Sequence, residues 1–439
     1  MNLRLLSFTA LAVLSVPGWC QVSGTGASAP APGQRPTISL QDALSRAKVN
    51  NPQFRAAVMQ SGLAREDRVQ ARAALLPSVD YVTGAIYTEP TNASSPRFIA
   101  ANGVREYISQ GAVRQSIGFT SFADNRRAHA AEALATAQAE IAARGLVVTV
   151  VQSYYGAIVG QRKTANAQQA ADEAQRFLDL SERLEKGGEV AHADVIKAQL
   201  QANDSVRALQ ESQLVAEKAR LGLAVLLFPV FTQDFDLVDD LRFTTPLPQV
   251  AEIQALAARN NPELKAALAA AQVASSEVRS AIGGHLPTLS LDYFYGIDAP
   301  RYATYTDGVR NLGYQVSASL QLPIFNWGAT QSRVRQAELR RTQAQVELSA
   351  TQRQALADLQ AFYSEASVSK NQIEILKQSA DLAQESLRLT TLRYQAGEAT
   401  ALEVVDAQNA LVLARNNYDD GEVRYRLAVA NLQTLTGTF

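Results

Sequence analysis

Asn50-Asn51-Pro52 returns as Asn260-Asn261-Pro262, and Leu76-Pro77 returns as Leu286-Pro287, both about 210 residues later. Two matches at one offset, inside segments running from Pro36 to Tyr87 and from Pro246 to Tyr295, make the chain one structural unit written twice. The first copy spans 36–228, a linker 229–245 follows, and the second copy spans 246–439. Each copy runs from a short strand-like region into a very long helical stretch. Half-sized units that cannot close alone point to symmetric assembly.

Proline places the helices. None occurs between Arg97 and Phe228 or between Ile324 and Phe439, so these Ala-, Gln-, Leu-, Glu- and Arg-rich blocks read as helix. Each block breaks once, at Gly187-Gly188 in the first copy and at Gly397, after Arg393-Tyr394, in the second. A glycine there takes the left-handed turn that folds one helix back on the next. The blocks are therefore helical hairpins, at about 124–228 and about 328–436. From Leu356 to Leu387 apolar residues recur at the three- and four-residue spacing of a coiled-coil seam. A run from Gly328 to Tyr394 would be about 100 Å long. Periodicity alone leaves a soluble coiled-coil hairpin and a tunnel wall both open.

Four segments read as strands, at about 77–87, 104–121, 287–296 and 312–325. Leu289, Leu291, Tyr293 and Tyr295 alternate with polar residues, as do Tyr314, Val316, Ala318 and Leu320. Alternation over about ten residues fits an outer-membrane barrel strand, and equally a half-buried soluble sheet. In the first copy Arg105, Glu106 and Arg114 interrupt it. Four strands cannot close a barrel in lipid, where an open edge is forbidden. The fold class that follows is an α+β membrane protein: an oligomeric transmembrane β-barrel with four strands per chain, shared by two or more subunits and twelve-stranded if they are three, continued by a long antiparallel coiled-coil α-helical barrel.

A formal charge of -1 leaves no basic surface, so nucleic acid is no partner. Residues 1–20 read as a signal peptide and 21–35 as a flexible lead-in. The only cysteine, Cys20, lies in that leader, which leaves export cleavage or acylation of Cys20 as alternatives. His129, His192 and His285 have no metal-ligand spacing, and no nucleophile or phosphate loop is apparent. The expectation is no cofactor, no metal and no enzyme.

Leu322-Pro323-Ile324-Phe325-Asn326-Trp327-Gly328, and Arg393-Tyr394-Gln395-Ala396-Gly397 continuing to Val404-Val405-Asp406-Ala407-Gln408, carry a resemblance. Both repeats look like the TolC family of outer-membrane efflux and secretion channels. The resemblance implies a homotrimer in outer-membrane lipid, with a barrel open to the outside. A periplasmic tunnel would dock on an adaptor (membrane fusion) protein and an inner-membrane pump or ABC exporter. It implies a strand-to-helix corner at Pro323, Phe325 and Gly328, and adaptor docking at the tip turns marked by Gly187, Gly188, Arg393 and Gly397. The first copy departs from the corner pattern, with Ile117-Gly118-Phe119 where the second has Pro323-Ile324-Phe325, which leaves its corner near Ser121 undefined.

Glu403 and Asp406 stand three residues apart after the Gly397 turn and share a helix face. The resemblance gives them the acidic ring of a closed periplasmic aperture, which attracts cations. Crowding of like charges would raise their pKa values. Thr400 and Glu403 also have capping-box spacing, so Glu403 reads as cap, ring or both. By the same resemblance Asp194 and Tyr394 are gate-latch partners, and Ala399 replaces the usual arginine. Simple packing is the other reading of Tyr394. The function that follows is the exit duct of a tripartite efflux or type I secretion system. A non-conducting structural or adhesive envelope protein is the alternative, and the transported substrate is not legible.

Overall fold

The computed structural model describes residues 36–87, 105–230, 234–242, 246–306 and 308–437. The leader, the lead-in, the loop between the first two long strands and parts of the linker lie outside the described residues. The first copy runs β1 (Thr37–Ile38), α1 (Leu40–Asn50), α2 (Pro52–Ala73), β2 (Ser78–Tyr87), β3 (Arg105–Gly118), α3 (Phe119–Lys186) and α4 (His192–Leu227). After β4 (Asp236–Leu237) the second copy runs α5 (Val250–Asn260), α6 (Pro262–Gly283) and β5 (Thr288–Ala299). A small hairpin, β6 (Tyr305–Thr306) and β7 (Val309–Arg310), precedes β8 (Leu312–Gln321), α7 (Ala329–Gln395) and α8 (Ala401–Thr436).

The segment before each strand pair is helical, and the repeated Asn-Asn-Pro is what builds it. Asn50 and Asn260 end α1 and α5. Asn51 and Asn261 cap the next helices, accepting from Phe54 N at 2.8 Å and from Glu263 N at 2.8 Å. Proline then takes the first helical position, where its missing N–H costs nothing. The first asparagine of each pair reaches further: Asn50 Nδ2 donates to Leu227 O at 2.6 Å and Asn260 Nδ2 to Thr436 O at 3.2 Å. Each copy thereby ties its short helix to the last carbonyls of its own hairpin.

The four long strands form one antiparallel sheet in the order β2-β3-β5-β8, with β2 and β8 at its edges. The register sets Val79, Val113, Tyr293 and Val316 in one row, and Tyr81, Gly111, Tyr295 and Tyr314 in another on the same face. The opposite face carries Ser78, Arg114, Asp292 and Ser317. Arg114, which disturbs the sequence alternation, thus belongs to the polar face. It pairs with Asp80 at 3.8 Å and lies over the Phe294 ring at 5.7 Å. The apolar face is open: Tyr314, Val316 and Leu320 are 75%, 68% and 69% exposed.

The strand-to-helix corners differ between copies. In the first, β3 passes directly into α3 at Phe119, several residues before the expected hairpin start. In the second, β8 stops at Gln321. Pro323 offers no N–H to a ladder, and Gly328 turns at φ 79° into α7. The Phe325 and Trp327 rings meet at 4.9 Å on the outside of that corner.

Among the described residues α3 alone is long and apolar enough to cross a bilayer. Its apolar stretch instead packs in the main core, where Val150, Tyr154 and Ile158 are buried with Ala43 and Ala47 of α1 and Leu223 of α4. Tyr154 donates to Val238 O at 2.8 Å, fixing the linker against that core. Ile253, Ala257, Leu359 and Ala366 make the corresponding core of the second copy. Along the predicted seam of α7, Leu359 and Ala366 are buried but Leu356 is 66% exposed, so part of that face has no cover within the chain.

Candidate functional site: the helical tips

Both hairpins turn through the same backbone device. Gly188 and Gly397 adopt φ 78° and 75°, and the next residues close the turn, Glu189 N on Leu184 O and Glu398 N on Arg393 O, at 2.9 and 2.8 Å. These bonds satisfy carbonyls that a helix end would otherwise leave open. Gly187 stays right-handed, so of the two adjacent glycines only Gly188 carries the reversal. Arg393 braces the second turn, donating to Glu398 O at 3.0 Å and to Glu403 Oε2 at 3.4 Å.

Glu403 sits in a full capping box. Thr400 N donates to Glu403 Oε1 at 3.1 Å, and Glu403 N donates back to Thr400 Oγ1 at 3.3 Å. The Thr400 N–H, then its hydroxyl, and then Arg393 hold this carboxyl below the ordinary glutamate range. Within one chain that is the opposite direction from the rise expected of crowded like charges. Asp406, one turn further on, is exposed and outside the cap.

Asp194 occupies in α4 the position Glu403 occupies in α8, third from the helix start. Ala191 stands at its cap and supplies no side-chain bond, and Asp194 pairs with Lys197 at 3.6 Å. Tyr394 is buried at the join of the two hairpins, with its ring 5.1 Å from that of Phe177. Its hydroxyl donates to Ser181 Oγ at 3.1 Å. The bond anticipated to Asp194 is therefore not made. Burial, opposed by the Ser181 bond and aided by the nearby Asp194 charge, raises the phenol pKa. Ala399 lies half-buried in the same apolar cluster.

A second charged group, invisible in the sequence, stands far from the tips. Arg162 of α3 donates to Asp239 of the linker at 2.6 and 2.7 Å, and to Asp419 and Glu422 of α8 at 3.1 and 2.6 Å. Asn166 adds a bond to Asp419 at 3.0 Å. Burial raises the Asp419 carboxyl pKa, and the Arg162 bonds oppose that rise. These side chains come from three separated segments, so no local spacing announces them.

The described residues contain no cluster of His, Cys, Asp and Glu suited to a metal ion. His192 is engaged at 2.6 Å with Glu185 at the first tip.

The pattern of the outer membrane efflux protein family matches residues 43–227 and 254–438, one match per repeat. The chain is 26% identical over 408 residues to the outer membrane protein TolC of Vibrio cholerae, covering 91% of each. It is 27% identical over 431 residues to the proteases secretion protein PrtF of Dickeya chrysanthemi, covering 92% of this chain and 89% of that one. In structure it is similar to the Campylobacter jejuni CmeC outer membrane channel, with a TM-score of 0.79 at 16% identity over 91% of this chain and 85% of that one.

Proposed function

From the premise that the chain belongs to the outer membrane efflux protein family, we propose that it is the outer-membrane exit duct of a tripartite efflux or type I secretion system. Three copies share one barrel of twelve strands, and their helices continue it as a periplasmic tunnel. The observation that carries this reading is a sheet with two unpaired edges and an uncovered apolar face, set on helices about 100 Å long. An open sheet of that kind is unstable in lipid until neighbours complete it. Bare apolar rows outside and a row of Ser, Arg and Asp inside suit a lipid-facing wall around a wet lumen.

The helical tips form the gate and the docking end. Glu403 and Asp406 of three copies bring six carboxylates to the aperture, which favours cations over anions. Glu403 keeps its charge through its cap, while Asp406 faces the axis freely. Tyr394 bonded to Ser181 links the two hairpins and holds the aperture shut, with Asp194 as an electrostatic neighbour. An adaptor docks on the turns at Gly187, Gly188, Arg393 and Gly397. An inner-membrane pump or ABC exporter supplies the energy, and this chain conducts without doing chemistry.

Planar-bilayer recording of the detergent-extracted protein tests the reading. Discrete, cation-selective conductance is the expected result. A monodisperse oligomer that never conducts would leave a structural coiled-coil protein in its place.

A further inference from the structure

Among the described residues every ion pair that joins the two hairpins sits at one level. Arg162 of α3 meets Asp419 and Glu422 of α8 there, and Lys163 meets Asp420 at 2.8 Å. Toward the tips the side-chain links between the hairpins carry no carboxylate. Arg415 donates to Gln169 Oε1 at 2.9 Å, Gln201 to Asn409 Oδ1 at 3.0 Å, and Tyr394 to Ser181 Oγ at 3.1 Å. From Arg162 to Lys186 α3 runs on for about 36 Å. The strong end of the seam is thus the one far from the tips.

The linker reaches that level through one side chain. Asp239 takes the Nε and Nη2 edge of Arg162 with both oxygens, at 2.6 and 2.7 Å, which fixes the plane of the guanidinium. Nη1 is left for α8, where it donates to Glu422 at 2.6 Å and to Asp419 at 3.1 Å. Asp239 is itself held on both sides. Tyr154 of α3 donates to Val238 O at 2.8 Å, Arg426 of α8 donates to Asp240 O, and Leu241 is buried in the main core. Leu241 N also donates to Asp239 Oδ1 at 3.2 Å, which steadies the carboxylate. The second copy lacks the device: with Gly188 aligned on Gly397, Arg162 falls on Asn371, which carries no charge.

We infer that Asp239 is a positioning residue for the gate, aiming Arg162 at α8 and so setting the level at which the second hairpin stays joined to the first. A free arginine side chain has many rotamers, and only a few put Nη1 between Asp419 and Glu422. Those carboxylates are 7% and 4% exposed, so without the guanidinium they confront each other with little water to screen them. The seam then parts past Arg162 instead of stopping there. A linker that only connected two repeats would need neither this carboxylate nor its orientation.

This inference rests on the gate proposed above, and bilayer recording separates the two. Asp239→Asn keeps the size of the side chain but turns one N–H toward the guanidinium, so basal conductance should rise about fivefold. Asp236→Asn, in the same linker and without a side-chain partner among the described residues, should record as wild type. In a channel carrying Arg162→Asn, Asp419→Gln and Glu422→Gln, adding Asp239→Asn should change nothing further, because no guanidinium is left to aim. Gln169→Cys with Arg415→Cys, joined by a short bis-maleimide and confirmed by mass, closes the seam just below Arg162. That joint should return the Asp239→Asn channel to wild-type conductance. Three results overturn the inference and leave the gate standing: wild-type conductance in the Asp239→Asn channel, a further rise in the substituted background, or no rescue by the joint. A wild-type oligomer that never conducts overturns both.

Discussion

Arg162 of α3 and Glu422 of α8 face each other at 2.6 Å, with Glu422 4% exposed, so the two repeats of one chain are joined by an ion pair largely out of water. Such a pair adds little over a well-packed apolar contact, but breaking it strands a charge. Arg162→Ala should therefore lower stability by about 3–5 kcal/mol, read from chemical unfolding in detergent. Converting Arg162→Asn, Asp419→Gln and Glu422→Gln together leaves only Asp239, whose side chain is 42% exposed, without its cation, and should recover most of that loss. A single variant as stable as wild type would mean the carboxylates reach water on their own.

Tyr394 carries the link between hairpins at the tip. Tyr394→Phe keeps the ring against Phe177 and removes only the bond to Ser181, worth about 1 kcal/mol. Basal conductance should rise about fivefold if that bond opposes opening. Ser181→Ala should act in the same direction. Asp194→Asn, whose carboxylate does not bond the phenol here, should act less. The reverse order would return the latch to Asp194.

What could be read from the chain before its structure was what local rules decide. Gly188 and Gly397 reverse the hairpins because only glycine takes φ near 75° without strain, and the alternation of Tyr314, Val316 and Leu320 gave the strand face directly. The short helices carried a readable signal too, Ser39 with Asp42 as a capping box and Asn51-Pro52 as cap and first turn, although the stretch before 77 carries no element in the sequence reading. Arg162 with Asp239, Asp419 and Glu422 had no such signal, because its members converge only after folding. The partner of Tyr394 was misassigned for the same reason: which helix face meets Ser181 is a tertiary fact.

Gly296 marks where the sheet admits no side chain. A Cβ there would lie 2.2 Å from Ser109 O and 2.4 Å from Gln110 Cα, both rigid backbone. Its pair across the ladder, Gly313, has open space. Gly296→Ala should sharply reduce the yield of membrane-inserted oligomer, whereas Gly313→Ala should leave it near wild type. Heat-modifiable migration of outer-membrane fractions would check this. Equal tolerance at the two positions would mean that β3 and β5 separate more in the assembled barrel than in the single chain.

If Glu403 lines the aperture as proposed, the aperture should respond to acid through its capped carboxyl. Glu403 has its folded-state pKa depressed below 4.5, chiefly by the Thr400 N–H and hydroxyl. A depressed carboxyl contributes fully above its unfolded value, and the contribution is lost as pH falls through the lower folded value. In an Asp406→Asn channel, where Glu403 is the remaining aperture acid, block by a multivalent cation should therefore persist to about pH 4.5 and fade below it. Adding Thr400→Ala removes the hydroxyl that helps hold the charge, and the midpoint of block should move to higher pH. Symmetry-related carboxylates push the other way, because crowding favours protonation. If block in the Asp406→Asn channel is already lost near pH 6 and Thr400→Ala leaves the midpoint unmoved, crowding rather than the cap governs Glu403. The aperture would then be narrow enough for its three copies to titrate as one group.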